Sequence, residues 1–237
     1  MNDSAAIIVM CKAPVAGTVK TRLVPFLSAE QAAAFAACLA HDSVGKAKKI
    51  CKNIVVAFSG EKFLLEHILP GSLIWIEQRG ADLGERMNDA LEFARSKQFS
   101  PLVVIGTDSP TLPMEFVAEA FEILRKNQDD VVLGESADGG YYLVGLREPN
   151  AEIFRNVEWS SPRTFAGTRR NIEQLNLRLK VLPLWFDVDT PADLLRLQKE
   201  FASDANNQEI AVATAIWLKE NAALFLTANE PTQENIE

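Results

Sequence analysis

The chain has 237 residues, of which 48% are hydrophobic and 24% are charged, and its formal net charge is -8. This length and composition are ordinary for one globular α/β domain and do not indicate disorder. The acidic balance argues against a nucleic-acid partner, because such binding depends on many basic side chains that neutralise phosphates.

Short, continuously apolar runs predict strands that are buried on both faces, as in a parallel sheet. They occur at residues 6–10, 54–58, 73–76, 102–105 and 131–133. The first run is far shorter than a membrane span and lacks a signal-peptide pattern. Cys11, Cys38 and Cys51 are odd in number and lack Cys-x-x-Cys spacing, so neither a disulfide framework nor a zinc site is indicated. We therefore expect a cytoplasmic protein without a membrane partner.

Helix starts lie between and after these runs. Ser28 with Gln31 forms a capping box that opens residues 29–49, and Asp82 with Glu85 opens a helix to about residue 97. Three further starts contain a proline, at Pro113, Ser161-Pro162 and Thr190-Pro191. The alternation of strands and helices predicts an α/β fold with a doubly wound, mostly parallel sheet and helices on both faces.

The composition changes after Phe201. Residues 203–208 read Ser-Asp-Ala-Asn-Asn-Gln, which indicates a linker, and residues 209–226 carry apolar side chains at helical spacing. This helix is expected to pack on the body of the protein or on a second subunit, which leaves a homodimer open. We predict a main domain over residues 1–202, a linker and C-terminal helix over 203–226, and a flexible tail over 227–237.

The loop after the first strand gathers three cations, Lys12, Lys20 and Arg22, around Gly17. Ligands bind beyond the carboxyl ends of strands in open α/β sheets, and small residues let backbone N–H groups approach phosphate oxygens. These four residues are candidates for phosphate binding, although a solvated connection would also carry such charges. The glycine and lysine spacing excludes a Walker A loop.

Acidic residues occur at two other places, directly after a predicted strand and on an extended segment. Asp108 comes directly after the apolar run 102–105, where a carboxylate can hold Mg²⁺ or Mn²⁺, although Asp108 could also cap the turn before Pro110. Asp187 and Asp189 alternate on an extended segment and so point to one face, although Asp189 could serve only the following helix start. Together the three acids are candidate metal ligands.

Two glycine-containing motifs are less specific. Asp138, Gly139, Gly140 and Tyr141 suit either a hairpin turn or an edge that contacts the acceptor. In the motif at residues 79–88, Asp82 begins a helix, and Asp82, Arg86 and Asn88 are candidate nucleotide contacts.

The sequence lacks the motifs of two common hydrolytic mechanisms. The chain has no Gly-x-Ser-x-Gly motif, and His41 and His67 have no His-x-x-His partner, so acyl transfer by a triad and zinc hydrolysis are not indicated. The Asp-x-Asp at residues 187–189 also suggests a phosphatase of the haloacid dehalogenase type. In those phosphatases, however, the nucleophile motif normally lies near the start of the chain and has a residue between its second Asp and the Thr, so this class is not indicated.

Five motifs in order, at residues 17–23, 81–87, 106–110, 138–145 and 187–191, resemble the small glycosyltransferases grouped with arsenosugar-biosynthesis glycosyltransferases, within the nucleotide-diphospho-sugar transferase superfamily. The resemblance covers about Ile7 to Leu197. It implies a GT-A-like fold, binding of a nucleotide or nucleotide-sugar, and dependence on a divalent metal. It also implies a phosphate role for Lys20 and Arg22 and a metal role for Asp108, supported by Asp187 or Asp189.

The chain is also similar to phospholactate guanylyltransferases, which share a Lys-x-Arg-Leu loop and an Asp-x-Asp-Thr-Pro segment. It lacks the Pro-Lys pair that follows the loop arginine in common sugar-1-phosphate nucleotidyltransferases, and only Asp108 stands where many GT-A enzymes have Asp-x-Asp. Glycosyl transfer and nucleotidyl transfer therefore both stay open.

Our hypothesis from the sequence is a metal-dependent transferase that acts on a nucleotide donor and a small-molecule acceptor, with glycosyl transfer favoured. Lys20 and Asp108 would act on the departing phosphate, and Asp138 would accept the acceptor's proton. The alternatives are nucleotidyl transfer from a nucleoside triphosphate to a small phosphorylated acceptor, and a protein that binds nucleotides without catalysis.

Overall fold

The computed structural model describes residues 4–227, and its centre is a seven-stranded sheet in the order β3-β2-β1-β4-β6-β5-β7. β6 is antiparallel to its neighbours β4 and β5, and the other pairings are parallel. The strands are β1 Ala6–Lys12, β2 Asn53–Ser59, β3 Ile74–Glu77, β4 Leu102–Ile105, β5 Val131–Ser136, β6 Tyr141–Leu146 and β7 Leu179–Trp185. The predicted α/β class with a mostly parallel sheet is confirmed.

Helices cover both faces of this sheet. One face packs against α1, α2 and α4, and the other against α3 and α5. The helices are α1 Ala29–Ile50, α2 Lys62–Ile68, α3 Leu83–Ser96, α4 Met114–Arg125, α5 Thr164–Gln174, α6 Pro191–Ser203, α7 Ala205–Ile210, α8 Val212–Glu220 and α9 Ala223–Thr227. Within the described residues, no helix is long and apolar enough to cross a bilayer.

The strand order places a topological switch point between β1 and β4. From β1 the chain proceeds outward through β2 and β3, and it then returns to the other side of β1 to form β4. In open α/β sheets, ligands bind beyond the carboxyl ends of the strands at such a point. The loop at residues 12–22 and the loop at 106–113, which carries Asp108, both start there.

A third apolar cluster joins the C-terminal helices to the body of the protein. α8 packs on α1, where the rings of Phe35 and Trp217 lie 4.7 Å apart. The buried carboxylate of Asp42 on α1 accepts hydrogen bonds from the backbone N–H groups of Ala213 (3.0 Å) and Thr214 (2.8 Å), at the start of α8. The C-terminal helix was expected to pack either on the body of the protein or on a second subunit. In the structure, α8 packs on the body of the same chain.

Local sequence signals locate most helix starts correctly. The capping box of Ser28 with Gln31 forms, Asp82 caps α3 by accepting from the N–H of Glu85 at 2.9 Å, and Thr190 caps α6. The expected start at Ser161-Pro162 is early, because hydrogen bonds from Thr164 to the carbonyls of Glu158 and Ser161 hold that segment as a turn until α5 begins.

Other elements differ from the expectations. The apolar runs did not predict α2, which is short, or β7, an edge strand that contains Pro183. Residues 205–210 are helical instead of a linker, and the expected helix over 209–226 is divided into α8 and α9. The predicted flexible tail lies, from residue 228 onward, outside the described residues.

Candidate functional site

The loop after β1 is largely exposed, and its first part, from Lys12 to Thr18, is bonded mainly to itself. The Lys12 ammonium donates to the carbonyl of Thr18 at 2.8 Å, and the Thr18 N–H donates to the carbonyl of Val15. Gly17 lies at the exposed tip with a φ of 77°, a conformation that favours glycine. Within residues 4–227, the backbone N–H groups of Ala16 and Gly17 donate to no protein acceptor, so they are free to meet an anion.

Lys20 leaves this loop and reaches across to two carboxylates. Its ammonium lies 2.5 Å from an oxygen of Asp108 and 2.8 Å from an oxygen of Asp189, and it also donates to the carbonyl of Val188 at 2.8 Å. Only 7% of the Lys20 side chain is exposed. Burial alone lowers the pKa of Lys20, but the two carboxylates outweigh it and raise the pKa above its ordinary value. Lys20 is therefore a fixed positive charge at the centre of the site.

Two side chains of α1 form hydrogen bonds with the loop after β4 and hold it in place. The Lys46 ammonium is buried and donates to the carbonyl of Pro110 at 2.5 Å, and the Ser43 hydroxyl donates to the carbonyl of Thr107 at 3.3 Å. The carbonyl of Asp108 accepts from the N–H of Val188 at 2.9 Å. These bonds position the Asp108 carboxylate, whose side chain remains 45% exposed at the mouth of the site.

A cavity of about 370 Å³ opens between the two loops, and we call it the first cavity. Its lining brings together six of the residues that the sequence singled out, which are Lys12, Lys20, Arg22, Arg86, Asp108 and Asp189. Sequence reasoning missed Ser59, Gln78 and Thr107, which also line it. All three lie at or just beyond the carboxyl ends of parallel strands, and that rule could have identified them.

A second cavity, of about 210 Å³, adjoins the first at Asp108. Its wall includes Asp187, whose carboxylate accepts hydrogen bonds from the hydroxyls of Ser109 and Ser136. Burial raises the pKa of Asp187, the two hydroxyls oppose that shift, and the charges of Asp108 and Asp138 add to it. Tyr141, a predicted acceptor contact, lines the same cavity.

Asp187 and Asp189 point away from the apolar core as the alternation suggested. Phe186, which precedes Asp187, and Val188, which lies between the two acids, are buried in the third apolar cluster, the one that joins the C-terminal helices to the body of the protein. The two acids nevertheless line different cavities, Asp189 the first and Asp187 the second, with Asp108 common to both.

The structure does not bring the remaining candidates, which include Gly17, into the linings of these cavities. Asp82 and Asn88 line a separate groove on the other side of α3, where Asp82 acts as the helix cap. Asp138 and Gly139 lie in the β5–β6 hairpin turn, and the carbonyl of Gly139 accepts from the N–H of Phe165. Gly140 donates its N–H to the Asp138 carboxylate at 2.9 Å. The nucleotide, acceptor and base roles of these residues stay predictions.

No three His, Cys, Asp or Glu side chains within residues 4–227 converge closely enough to hold a metal ion by themselves. Mg²⁺ that serves phosphate transfer is usually bound by one or two carboxylates together with substrate phosphates. Asp108 is exposed beside a cation-lined cavity, so the site fits a metal that is held jointly with a bound phosphate.

The thiol of Cys11 lies in the wall of the first cavity but is not suited to nucleophilic catalysis. Burial raises the pKa of Cys11 to about 12, and the charge of Asp108 adds to this effect. Because the thiolate is the nucleophile, such a thiol is inert at neutral pH. Cys11, Cys38 and Cys51 are all free in the structure.

Comparisons with known proteins concern the family and the fold of the chain. A family model described as "Uncharacterized protein conserved in bacteria (DUF2064)" matches residues 39–161, just over half of the chain. A search of curated protein sequences returned no match. A crystal structure from Desulfovibrio desulfuricans G20, provisionally assigned as a nucleotide-diphospho-sugar transferase, is similar with 27% identity and a TM-score of 0.87, over 95% of this chain and 98% of that one.

More distant structures share the fold. A cytidylyltransferase from Leptospira borgpetersenii is 13% identical, with 99% of each chain covered and a TM-score of 0.58. Molybdopterin-guanine dinucleotide biosynthesis protein A from Archaeoglobus fulgidus is 16% identical, with 84% of this chain and all of that one (100%) covered and a TM-score of 0.52. The expected likeness to nucleotide-diphospho-sugar transferases is thereby confirmed, and the more distant structures share the expected fold.

Proposed function

The chain belongs to the DUF2064 family, and from that premise we propose that it is a transferase that moves a group from a nucleotide-activated donor to a small acceptor. One observation carries the proposal: a cation-lined cavity and an exposed carboxylate, Asp108, meet at the switch point of a doubly wound sheet. A structure provisionally assigned as a nucleotide-diphospho-sugar transferase is similar over 95% of this chain and supports the proposal.

The first cavity takes the phosphates of the donor. Lys12, Lys20 and Arg22 line this cavity and supply positive charge. Ser59 and Gln78, at the ends of β2 and β3, are placed to contact the rest of the nucleotide. Asp108 would hold Mg²⁺ or Mn²⁺, which offsets negative charge on the departing phosphate when bound.

We favour glycosyl transfer. An acceptor oxygen bonds to the anomeric carbon of the sugar, the bond from that carbon to the diphosphate oxygen breaks, and the nucleoside diphosphate leaves. The candidate base for the acceptor's proton is Asp138, which lies in the β5–β6 turn outside the linings of both cavities and whose charge helps to raise the pKa of Asp187. Lys20, held buried between two carboxylates, is preorganised to stabilise the charge that develops on the leaving diphosphate.

Calorimetric titration tests the binding step. We expect at least one nucleoside diphosphate, triphosphate or nucleotide-sugar to bind in the presence of Mg²⁺ or Mn²⁺, and binding to weaken after chelation of the metal. If no member of such a panel binds, the proposal is wrong.

Turnover separates the transferase from a protein that only binds nucleotides. Release of nucleoside diphosphate from a nucleotide-sugar, measured by mass spectrometry, supports glycosyl transfer, whereas release of pyrophosphate from a nucleoside triphosphate supports nucleotidyl transfer. Binding without release across the whole donor panel would favour the non-catalytic alternative.

A further inference from the structure

The two cavities that meet at Asp108 differ sharply in charge. The first is lined by four cationic side chains, Lys12, Lys20, Arg22 and Arg86. None of the residues that line the second cavity, all within the described part of the chain, is Lys, Arg or His. Its charged groups are two carboxylates, Asp108 and Asp187. This difference in charge between the two cavities indicates that only one of the two substrates has a phosphate group that binds at this site.

Asp187 gives the second cavity an acidic character that no protein cation offsets. Its two carboxylate oxygens accept from the hydroxyls of Ser109 and Ser136, which solvate the charge without neutralising it. The charge of Asp138 acts on the same carboxyl group. A phosphate or carboxylate of a ligand placed beside Asp187 would face a like charge at short range and would lose its own hydration, whereas the charge of Asp108 is already offset by the Lys20 ammonium 2.5 Å away.

The rest of the second cavity is apolar and small. Leu83, Met87 and Leu143 contribute aliphatic walls, and Tyr141 contributes an aromatic side chain. The volume of about 210 Å³ is less than the 370 Å³ of the first cavity, so a nucleotide fits the first cavity better than the second. Apolar walls with a few polar groups are typical of sites for small organic molecules.

We propose that the second cavity binds the acceptor, and that the acceptor is a small hydroxyl compound without negative charge. This inference rests on the transfer reaction proposed above and deepens it. Carboxylates accept hydrogen bonds from hydroxyl groups, whereas they repel phosphates.

Fractionation of a bacterial small-molecule extract tests the charge of the acceptor. The extract is passed over an anion exchanger at neutral pH, which retains phosphorylated compounds and carboxylates and lets neutral and cationic compounds through. Each fraction is added to the full-length protein with Mg²⁺ and a pool of nucleotide-sugars and nucleoside triphosphates. Mass spectrometry then measures release of nucleoside diphosphate or pyrophosphate above the rate without extract.

We expect the flow-through to stimulate release and the retained fraction to have no effect. Stimulation by the retained fraction would overturn the inference and leave the transfer reaction standing. If neither fraction stimulates release while nucleotide binding is intact, the proposed transfer fails and the inference fails with it.

A substitution inside the second cavity tests its location. Met87 is buried, lines the second cavity and does not line the first, so Met87→Phe should fill acceptor space without touching the donor site. We expect the KM for the stimulating fraction to rise by about ten-fold or more, with nucleotide affinity unchanged. An unchanged KM, in a variant whose nucleotide affinity shows that it is folded, would exclude this cavity as the acceptor site.

Discussion

In the loop after β1, residues 12–22, the stretch from Lys12 to Thr18 is bonded mainly to itself, whereas the loop after β4, residues 106–113, is tied to α1 and to the segment before α6. The first carries the cations and exposes free backbone N–H groups, and the second carries a single exposed carboxylate. A loop with free donors can adapt to a ligand, while a loop held by buried bonds keeps one group in a defined position. Lys20 connects the two, because it starts in the first loop and ends on Asp108 of the second.

Replacement of Asp108 tests the second loop most severely. Asp108→Asn keeps the shape of the side chain and removes the charge that would hold the metal. We expect turnover to fall by about 100- to 1,000-fold, with little change in metal-free nucleotide binding. Steady-state release of nucleoside diphosphate and circular dichroism of the variant check this. Turnover close to that of the wild type would remove Asp108 from catalysis.

Lys20→Met breaks the connection between the loops. It removes a buried ammonium from between two carboxylates, so we expect nucleotide affinity to fall by about 10- to 100-fold, measured by calorimetry. Lys62→Met is the matched control, because Lys62 forms an exposed pair with Glu66 on α2, away from the cavity lining. Equal affinities in the two variants would contradict a phosphate role for Lys20.

Lys46 tests whether the support beneath the second loop matters for chemistry. Lys46→Met keeps most of the side-chain volume but loses the hydrogen bonds to the carbonyls of Pro110 and Leu112. We expect kcat to fall by about ten-fold or less while nucleotide affinity is retained, because the first loop is unaffected. A loss of affinity without a loss of kcat would show that the two loops are not held independently.

Lys46 also makes stability depend on pH. Burial lowers its pKa from 10.5 to about 8, with Asp42 opposing and Lys49 reinforcing the shift. Between these values the unfolded chain binds more protons than the folded protein, so the free energy of unfolding rises with pH in this window. Urea unfolding at pH 7 and pH 9.5 should show the wild type gaining stability relative to Lys46→Met. A pH-independent difference would mean that Lys46 does not titrate as described.

Asp42 lies one turn before Lys46 on α1 and is expected to have the smallest effect on chemistry, since it caps α8. Asp42→Ala should lower the free energy of unfolding by about 1–2 kcal/mol and leave kcat and nucleotide affinity near wild-type values. Urea unfolding together with the turnover assay checks both. A loss of turnover as large as in Lys46→Met would show that the whole polar row on α1 supports the site.

The sequence predicted the elements whose patterns are local. Apolar runs at 6–10 and 102–105 lie in β1 and β4, and the capping pairs at Ser28 and Asp82 begin α1 and α3. Because cations follow one of these strands and Asp108 follows the other, the rule for strand ends was enough to predict that they share a site. The rule needs only the positions of the strand ends in the sequence, because the carboxyl ends of parallel strands lie at the same edge of the sheet. The prediction therefore required no packing information.

Other features depended on contacts between distant parts of the chain. The segment that contains Asp42 and Lys46 has the composition of an ordinary solvated helix face, and only the packing of the β4 loop and α8 against it buries these charges. Likewise, the alternation of Asp187 and Asp189 predicted one face, but packing against Lys20 and against the serines assigned them to different cavities. The sequence alone determined the fold class and the candidate residues near the switch point. Tertiary structure alone decided which charges are paired, buried or exposed, because those properties depend on neighbours that no local pattern records.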